Sequence, residues 1–264
     1  MGLVPLNLTC DKKGGWWYVH PQTLNASSFE PASCQATVFT PDGDLSVSKV
    51  MRDFYPGFAG LFDGEPTVLP AIPEGAPIEF PRIILESRAH EWRCELSPAR
   101  ANLFWRRTKS TATHIEVADF FRKAADPLLQ YADMLSIRVA RLAALATRFA
   151  EHETPGLYLA RHFCKGDWDK APLNRPENFE LHAHKTYTLS SGLMVNSWAR
   201  SKTGMLKAEA DQRPIVLFEQ DINTLAEAAP TKAFHKADIK RFFDDVGSEL
   251  NTILGLYFPD VKGG

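Results

Sequence analysis

His182-Ala183-His184 sets two imidazoles on one face of an extended strand, about 7 Å apart at Cα, a spacing at which both can reach one zinc ion. A tetrahedral site needs further donors. No H-E-x-x-H or cysteine pair stands nearby, Lys185 follows directly, and the polar face continues through Glu180, Thr186 and Thr188, so the pattern reads as a solvated strand face. No metal and no cofactor is expected. His152-Glu153-Thr154 and His184-Lys185-Thr186 both fit H-x-T, by which two-histidine phosphoesterases place an acid and a base across a phosphate. Thr154, however, precedes Pro155 at a helix start, where capping already occupies it. Glu219, Asp221, Asp244 and Asp245 are carboxylates of the type a magnesium-dependent nuclease uses, but no E-x-K follows, and Asp244 and Asp245 lie off the apolar stripe of the last helix. G-x-x-x-x-G-K-[ST], G-x-G-x-x-G and G-x-S-x-G are absent. The expectation leans away from an enzyme, and no catalytic residue is assigned.

Binding chemistry is better represented. From Arg82 to Lys109 seven basic residues (Arg82, Arg88, Arg93, Arg100, Arg106, Arg107, Lys109) face three acidic ones (Glu86, Glu91, Glu95), a local charge of +4 in a chain of net charge -2. Trp92, Phe104 and Trp105 are interleaved, and basic groups beside flat rings suit a single-stranded nucleic acid or an acidic protein surface. The competing reading is an antiparallel sheet with one solvated and one core face. Alternation sets Arg93 with Glu95 on one face of its strand and Arg106 with Phe104 on one face of the next, leaving Trp105 on the opposite face, where a core would take it. Arg93, Arg106, Phe104, Trp105, Arg82 and Arg88 are the candidate binding residues.

The elements that would position them read in two rounds. Residues 1–33 are turn-rich and form an irregular arm. Cys34 to Thr40 is β-branched and aromatic, and Val47, Val50, Met51 and Phe54 recur at helical spacing before Pro56-Gly57. A proline-rich stretch, EPTVLPAIPEGAPIEFP, lacks the donors for a regular ladder and reads as a long loop. Three short strands follow, 82–88, 92–97 and 101–107. Thr113 to Glu116 then matches a capping box ahead of a helix that contains Pro127. The second round runs as a strand over 136–149 with a bulge near Arg141, a helix over 157–164, another proline-bearing loop, and strands at 179–189, 193–200 and 215–218. It closes on a helix whose Ile239, Phe242, Phe243, Val246, Leu250, Ile253, Leu254 and Tyr257 fall on one stripe. The expected fold is α+β: two pseudo-repeats of strand, helix, three strands and helix, at 34–133 and 134–264, in one compact unit with a largely antiparallel curved sheet packed on long helices.

Composition bounds the class. At 264 residues with 44% hydrophobic and 23% charged residues, and with 17 Phe and 6 Trp, the chain has the material for a sizeable core. Its near-neutral charge generates no whole-molecule field for nucleic acid or membranes. Cys10, Cys34, Cys94 and Cys164 are scattered, which favours reduced thiols, and neither a spanning apolar run nor a secretion signal is read. A cytoplasmic location without membrane contact is expected.

SIRVARLAALATRF, PIVLFEQDINTL and FHKADIKRFFDDVGSELNTILGLYFPD together resemble a sporadically distributed family of uncharacterised bacterial proteins of about this length, most closely in the second half. The resemblance implies a bacterial source, a two-half α+β fold and association with mobile or defence genes. The expected function is a non-catalytic binding or regulatory component that contacts another protein, from the same locus. The alternatives are a nucleic-acid binding or processing protein using residues 82–109, and a small-ligand sensor.

Overall fold

The computed structural model describes residues 7–10, 16–19, 23–69, 76–108, 114–166, 176–208 and 211–260, with side chains for all but 7–10, 16–19, 207, 208 and 211. β1 (Asn7–Cys10) and β2 (Trp16–Val19) pair as a separate antiparallel two-stranded sheet. The main sheet contains nine described strands: β3 (Glu30–Phe39), β4 (Thr67–Val68), β5 (Ile83–Glu86), β6 (Trp92–Leu96), β7 (Arg100–Arg106), β8 (Arg141–Glu151), β9 (Glu180–Thr188), β10 (Met194–Ala208) and β11 (Asp211–Thr224). Their spatial order is β4-β5-β6-β7-β3-β8-β11-β10-β9, and all neighbours are antiparallel. β3 and β8 lie side by side in the middle, so one sheet runs through both halves of the chain. The fold is α+β, as the sequence implies.

Several boundaries differ from those read off the sequence. β3 begins at Glu30, inside the stretch read as an arm, and Leu24 and Phe29 just before it are core residues. β8 starts at Arg141 rather than at residue 136, because Ser136 adopts a left-handed conformation (φ 55°) that closes the preceding helix, and Ile137 still donates its N–H to Ala132 O at 3.1 Å. The only register shift described along β8 and its neighbours falls at Pro31 and Ser33 of β3, not near Arg141. The proline-rich stretch is not wholly irregular. Thr67 and Val68 sit between Pro66 and Pro70 with their own donors intact, so they form the edge strand β4, and Leu69 N–H extends the ladder to Arg82 O at 2.9 Å. Thr113, the expected cap, lies outside the described residues, and Glu116 takes the N-cap position.

The helices are α1 (Val47–Lys49), which continues as a π-helical turn over Val50–Phe54 into α2 (Tyr55–Phe58), then α3 (Val117–Leu135), α4 (Pro155–Phe163) and α5 (Lys236–Tyr257). α5 forms because its apolar residues follow the helical period and His235 N–H is capped by Asp238 Oδ2 at 3.2 Å. Ile239, Phe242, Phe243, Val246 and Leu250 are fully buried, against α3 and the sheet. Gly247 permits the close crossing of the two long helices: a Cβ there would lie 2.6 Å from Ala118 Cα. Pro127 stays inside α3, buried.

Alternation on the central strands decides which side chains meet the helices. Cys34, Ala36 and Val38 of β3, Ala101, Leu103 and Trp105 of β7, and Leu142, Ala144 and Ala146 of β8 pack with Phe120, Phe121, Phe242 and Phe243 in the larger core. A second cluster joins Ala150, Val216 and Phe218 to Leu159 of α4 and to Leu254 and Phe258. Between the two, Arg148 enters from β8. Its guanidinium donates to Gln220 Oε1, and to Asn251 Oδ1 at 2.5 Å, while Gln220 Nε2 donates to Leu250 O at 2.7 Å. All the described α-helices that join these clusters therefore lie on one side of the sheet. Among the described residues no helix is long and apolar enough to cross a membrane.

Candidate functional site

The other side of the sheet carries no helix from the described residues. Its side chains are the alternate set: Ile84 and Glu86 on β5, Arg93 and Glu95 on β6, Arg100, Asn102, Phe104 and Arg106 on β7, and Gln35, Thr37 and Phe39 on β3. The row continues through Arg141, Leu145 and Thr147 on β8 and Glu219 and Asp221 on β11, then Asn196, Trp198 and Arg200 on β10 and His182, His184 and Thr186 on β9. Polar groups at its centre are fixed to one another. Gln35 Nε2 donates to Thr37 Oγ1 at 3.0 Å, and Thr37 Oγ1 donates to Asn102 Oδ1 at 2.9 Å, with Thr37 and Asn102 both buried.

Three of the six candidate residues, Arg93, Phe104 and Arg106, share this face, and both arginines are already partnered. Arg93 Nε donates to Glu95 Oε1 at 2.8 Å, and its guanidinium is 3.9 Å from Glu86. Arg106 donates to Glu86 Oε1 at 3.1 Å and to His90 O at 2.8 Å. Trp105 points into the helix-covered core at 3% exposure and is unavailable to a ligand, as strand alternation requires. Arg88 sits in the β5–β6 turn, 3.9 Å from Asp63, away from the cross-strand network. Arg82 enters β5 beside a cleft of about 340 Å³ lined by Asp44, Leu45, Val47, Val68, Leu69 and Pro98. The meander therefore divides into neutralised cations, core-facing rings that include Trp92 stacked on Phe120, and arginines at its margin.

The histidine patterns separate in space. His184 stacks on Trp198 with ring centroids 4.4 Å apart, and His182 lies 3.4 Å from Glu180. His152 instead closes β8, where its Nδ1 accepts from Thr154 N–H at 3.1 Å and its ring meets Tyr158 at 4.7 Å. Three strand spacings, about 14 Å, separate β8 from β9, so the two H-x-T segments do not face each other across one phosphate. The carboxylates are divided too. Glu219 pairs with Lys202 at 2.9 Å and Asp221 accepts from Asn223 on the open face, whereas Asp245 accepts Ser191 N–H from α5 on the other side of the sheet. Among the described residues no group of three or more His, Cys, Asp or Glu side chains is placed to hold a metal ion.

Among the ring and guanidinium contacts missed in the sequence, which include Arg107 over Phe149, two stand out. Arg200 Cζ lies 5.3 Å from the Trp198 ring, on the side of β10 that faces His184 and His182. Arg141 Cζ lies 4.9 Å from the Phe39 ring. The first was available as W-x-R at strand alternation. The second joins residues about a hundred positions apart through the β3–β8 pairing, which no local pattern signals. Buried ionisable groups belong to the other face: burial pushes the Cys34 thiol up to about 12 and raises that of Cys94 as well, and it lowers the Arg148 guanidinium to about 10, so Arg148 stays charged at neutral pH. The open face thus offers preset polar contacts, stacked rings and cations. Neither a scan of the sequence against protein-family models nor a search of curated proteins returns a match.

Proposed function

We propose that this chain is a non-catalytic binding or regulatory component of a bacterial system, of the kind carried by mobile or defence-associated genes, that works in the cytoplasm and holds another protein against the helix-free face of its sheet. The observation that supports the reading is the size and preorganisation of that face. Nine strands span about 38 Å between the outer members, and ten-residue central strands run about 34 Å, which exceeds the roughly 800 Å² per partner of a standard interface. Several of its side chains are already held by hydrogen bonds within and between strands, so little of their rotamer entropy is lost on contact. Photo-crosslinking side chains placed at Thr147 and Asn196, and at Lys240 and Asp244 on α5 as controls, test it in the native host. A partner trapped from the sheet positions and not from the helix positions is expected; trapping from α5 alone would reject the face.

We also infer that residues 34–133 and 134–264 are copies of one strand-helix-three-strand-helix unit in a curved sheet. β3 pairs with β7 as β8 pairs with β11, first strand with last in each half, and β3 and β8 join the halves antiparallel. Superposing the two halves tests this, and unrelated paths would refute it. A second reading, single-stranded nucleic acid, is favoured by the stacked His184, Trp198 and Arg200. Salt-dependent quenching of tryptophan fluorescence by oligonucleotides, lost in Trp198→Ala, is its expected sign.

A further inference from the structure

Arg100 opens β7 and Arg141 opens β8, and the register sets both opposite Phe39, the last residue of β3. Two strand spacings, about 9.6 Å, separate their backbones, a gap that two arginine stems can close over the intervening ring. Arg141 already leans over Phe39, while its Nε donates to Thr224 O at 3.3 Å and a second nitrogen donates to Asn223 Oδ1 at 2.5 Å. Both acceptors are neutral. Arg100 has a buried Nε with no acceptor, and so does Arg82, which enters β5 at the same end of the sheet with its N–H on Leu96 O at 2.8 Å. Among the described residues no carboxylate lies within ion-pair distance of Arg82, Arg100 or Arg141. Asp44, exposed on the cleft beside Arg82, is not paired with it.

Three cations gathered at one end of a sheet with no ion-pair partner among the described residues, two of them with a desolvated and unused donor, are an unfavourable arrangement that an oxyanion relieves. One carboxylate is satisfied by one guanidinium fork, whereas forks arriving from two strands match a group with more oxygens and more charge. We propose that Arg100 and Arg141, with Phe39 between them and Arg82 at the flank, form a binding site for a phosphate-type dianion. This site goes beyond partner contact and stands independently of it, since the anion needs only the row at the starts of β5, β7 and β8.

Thermal denaturation with inorganic pyrophosphate against sodium chloride of matched ionic strength tests the site. A saturable rise in Tm is expected for the native chain, with affinity at least tenfold weaker in Arg100→Gln and in Arg141→Gln and unchanged in Arg93→Gln, whose charge is already paired. Among the described residues Arg100 makes no side-chain hydrogen bond that its loss would orphan, so Arg100→Gln keeps the fold even if Arg141→Gln does not. Arg100→Lys, which retains the charge and removes the fork, should fall between. Equal affinity for pyrophosphate and a nucleoside diphosphate assigns a free phosphate compound, and tighter nucleotide binding assigns a nucleotide; both support the site. A native shift no larger than that from chloride, equal affinity in Arg100→Gln, or stabilisation by oligoglutamate without any by pyrophosphate would overturn it.

Discussion

Phe104 and Trp105 are neighbours in β7 and belong to two different environments. Trp105 lies in the core cluster to which α3 and α5 contribute, where apolar area and shape decide its position, while Phe104 stands half-buried on the opposite face among Arg93, Arg106 and Gln35. The same division separates the polar groups. On the helix side Arg148 is enclosed and held by two side-chain amides; on the open side Arg93 and Arg106 meet carboxylates of their own or a nearby strand, Arg141 meets neutral acceptors, and the Nε of Arg100 has none. One sheet therefore packs apolar side chains against helices on one face and sets polar and charged side chains on the other, and the same residue type has different surroundings on each.

The sharpest test is the adjacent pair. Trp105→Ala should cost about 3–5 kcal/mol, as a large ring leaves a cavity the packed helices cannot fill, and Phe104→Ala about 1 kcal/mol or less. Denaturant melts of both variants measure the gap, and equal costs would mean that the open face is covered by something as well packed as the helices. Arg148→Met should come next, at about 2–3 kcal/mol, because buried Gln220 loses the donor that satisfied its Oε1 and the bond to Asn251 is lost with it. Adding Gln220→Leu to it should recover about 1 kcal/mol, since apolar replacement of both partners removes the orphaned acceptor.

The thiols give the comparison a pH axis. Cys34 and Cys94 keep their protons in the folded chain because burial raises both, whereas the unfolded chain begins to release them near pH 9. The unfolded state then binds fewer protons, so stability falls as pH climbs above 9, by up to about 1.4 kcal/mol per pH unit for each thiol. Melts between pH 8 and 10 should show the slope, and Cys34→Ala should remove about half of it. In the native state at pH 8, half-exposed Cys164 should react with a thiol reagent while Cys34 and Cys94 resist.

The helix face was the legible one. The stripe of α5 and the alternation of β7 and β9 are local periods, and they assigned Ile239, Phe243, Leu250 and the inward turn of Trp105 from the sequence alone. The charge state of the open face was not. Arg106 is neutralised by Glu86, twenty residues earlier and two strands away, and Arg141 meets Phe39 only because β3 and β8 pair. A count of seven basic residues contains no information about which of them a neighbouring strand has already satisfied.

That distinction fixes the smallest effect and its sign. Arg93 is two-thirds buried against Glu95, in a pair partly screened by solvent, so Arg93→Gln should destabilise by less than about 1 kcal/mol. Arg100→Gln should do the opposite, between no change and a gain of about 1 kcal/mol, because it removes a desolvated cation whose Nε has no acceptor while keeping part of the stem. Both variants should be melted at low ionic strength without phosphate, where neither screening nor a bound anion masks the charges. With pyrophosphate present the order for Arg100 should reverse, since only the native guanidinium then has a partner. A loss of stability in Arg100→Gln under anion-free conditions would show that this arginine serves the scaffold as Arg93 does, and the contrast between paired and unpaired cations on the open face would fail.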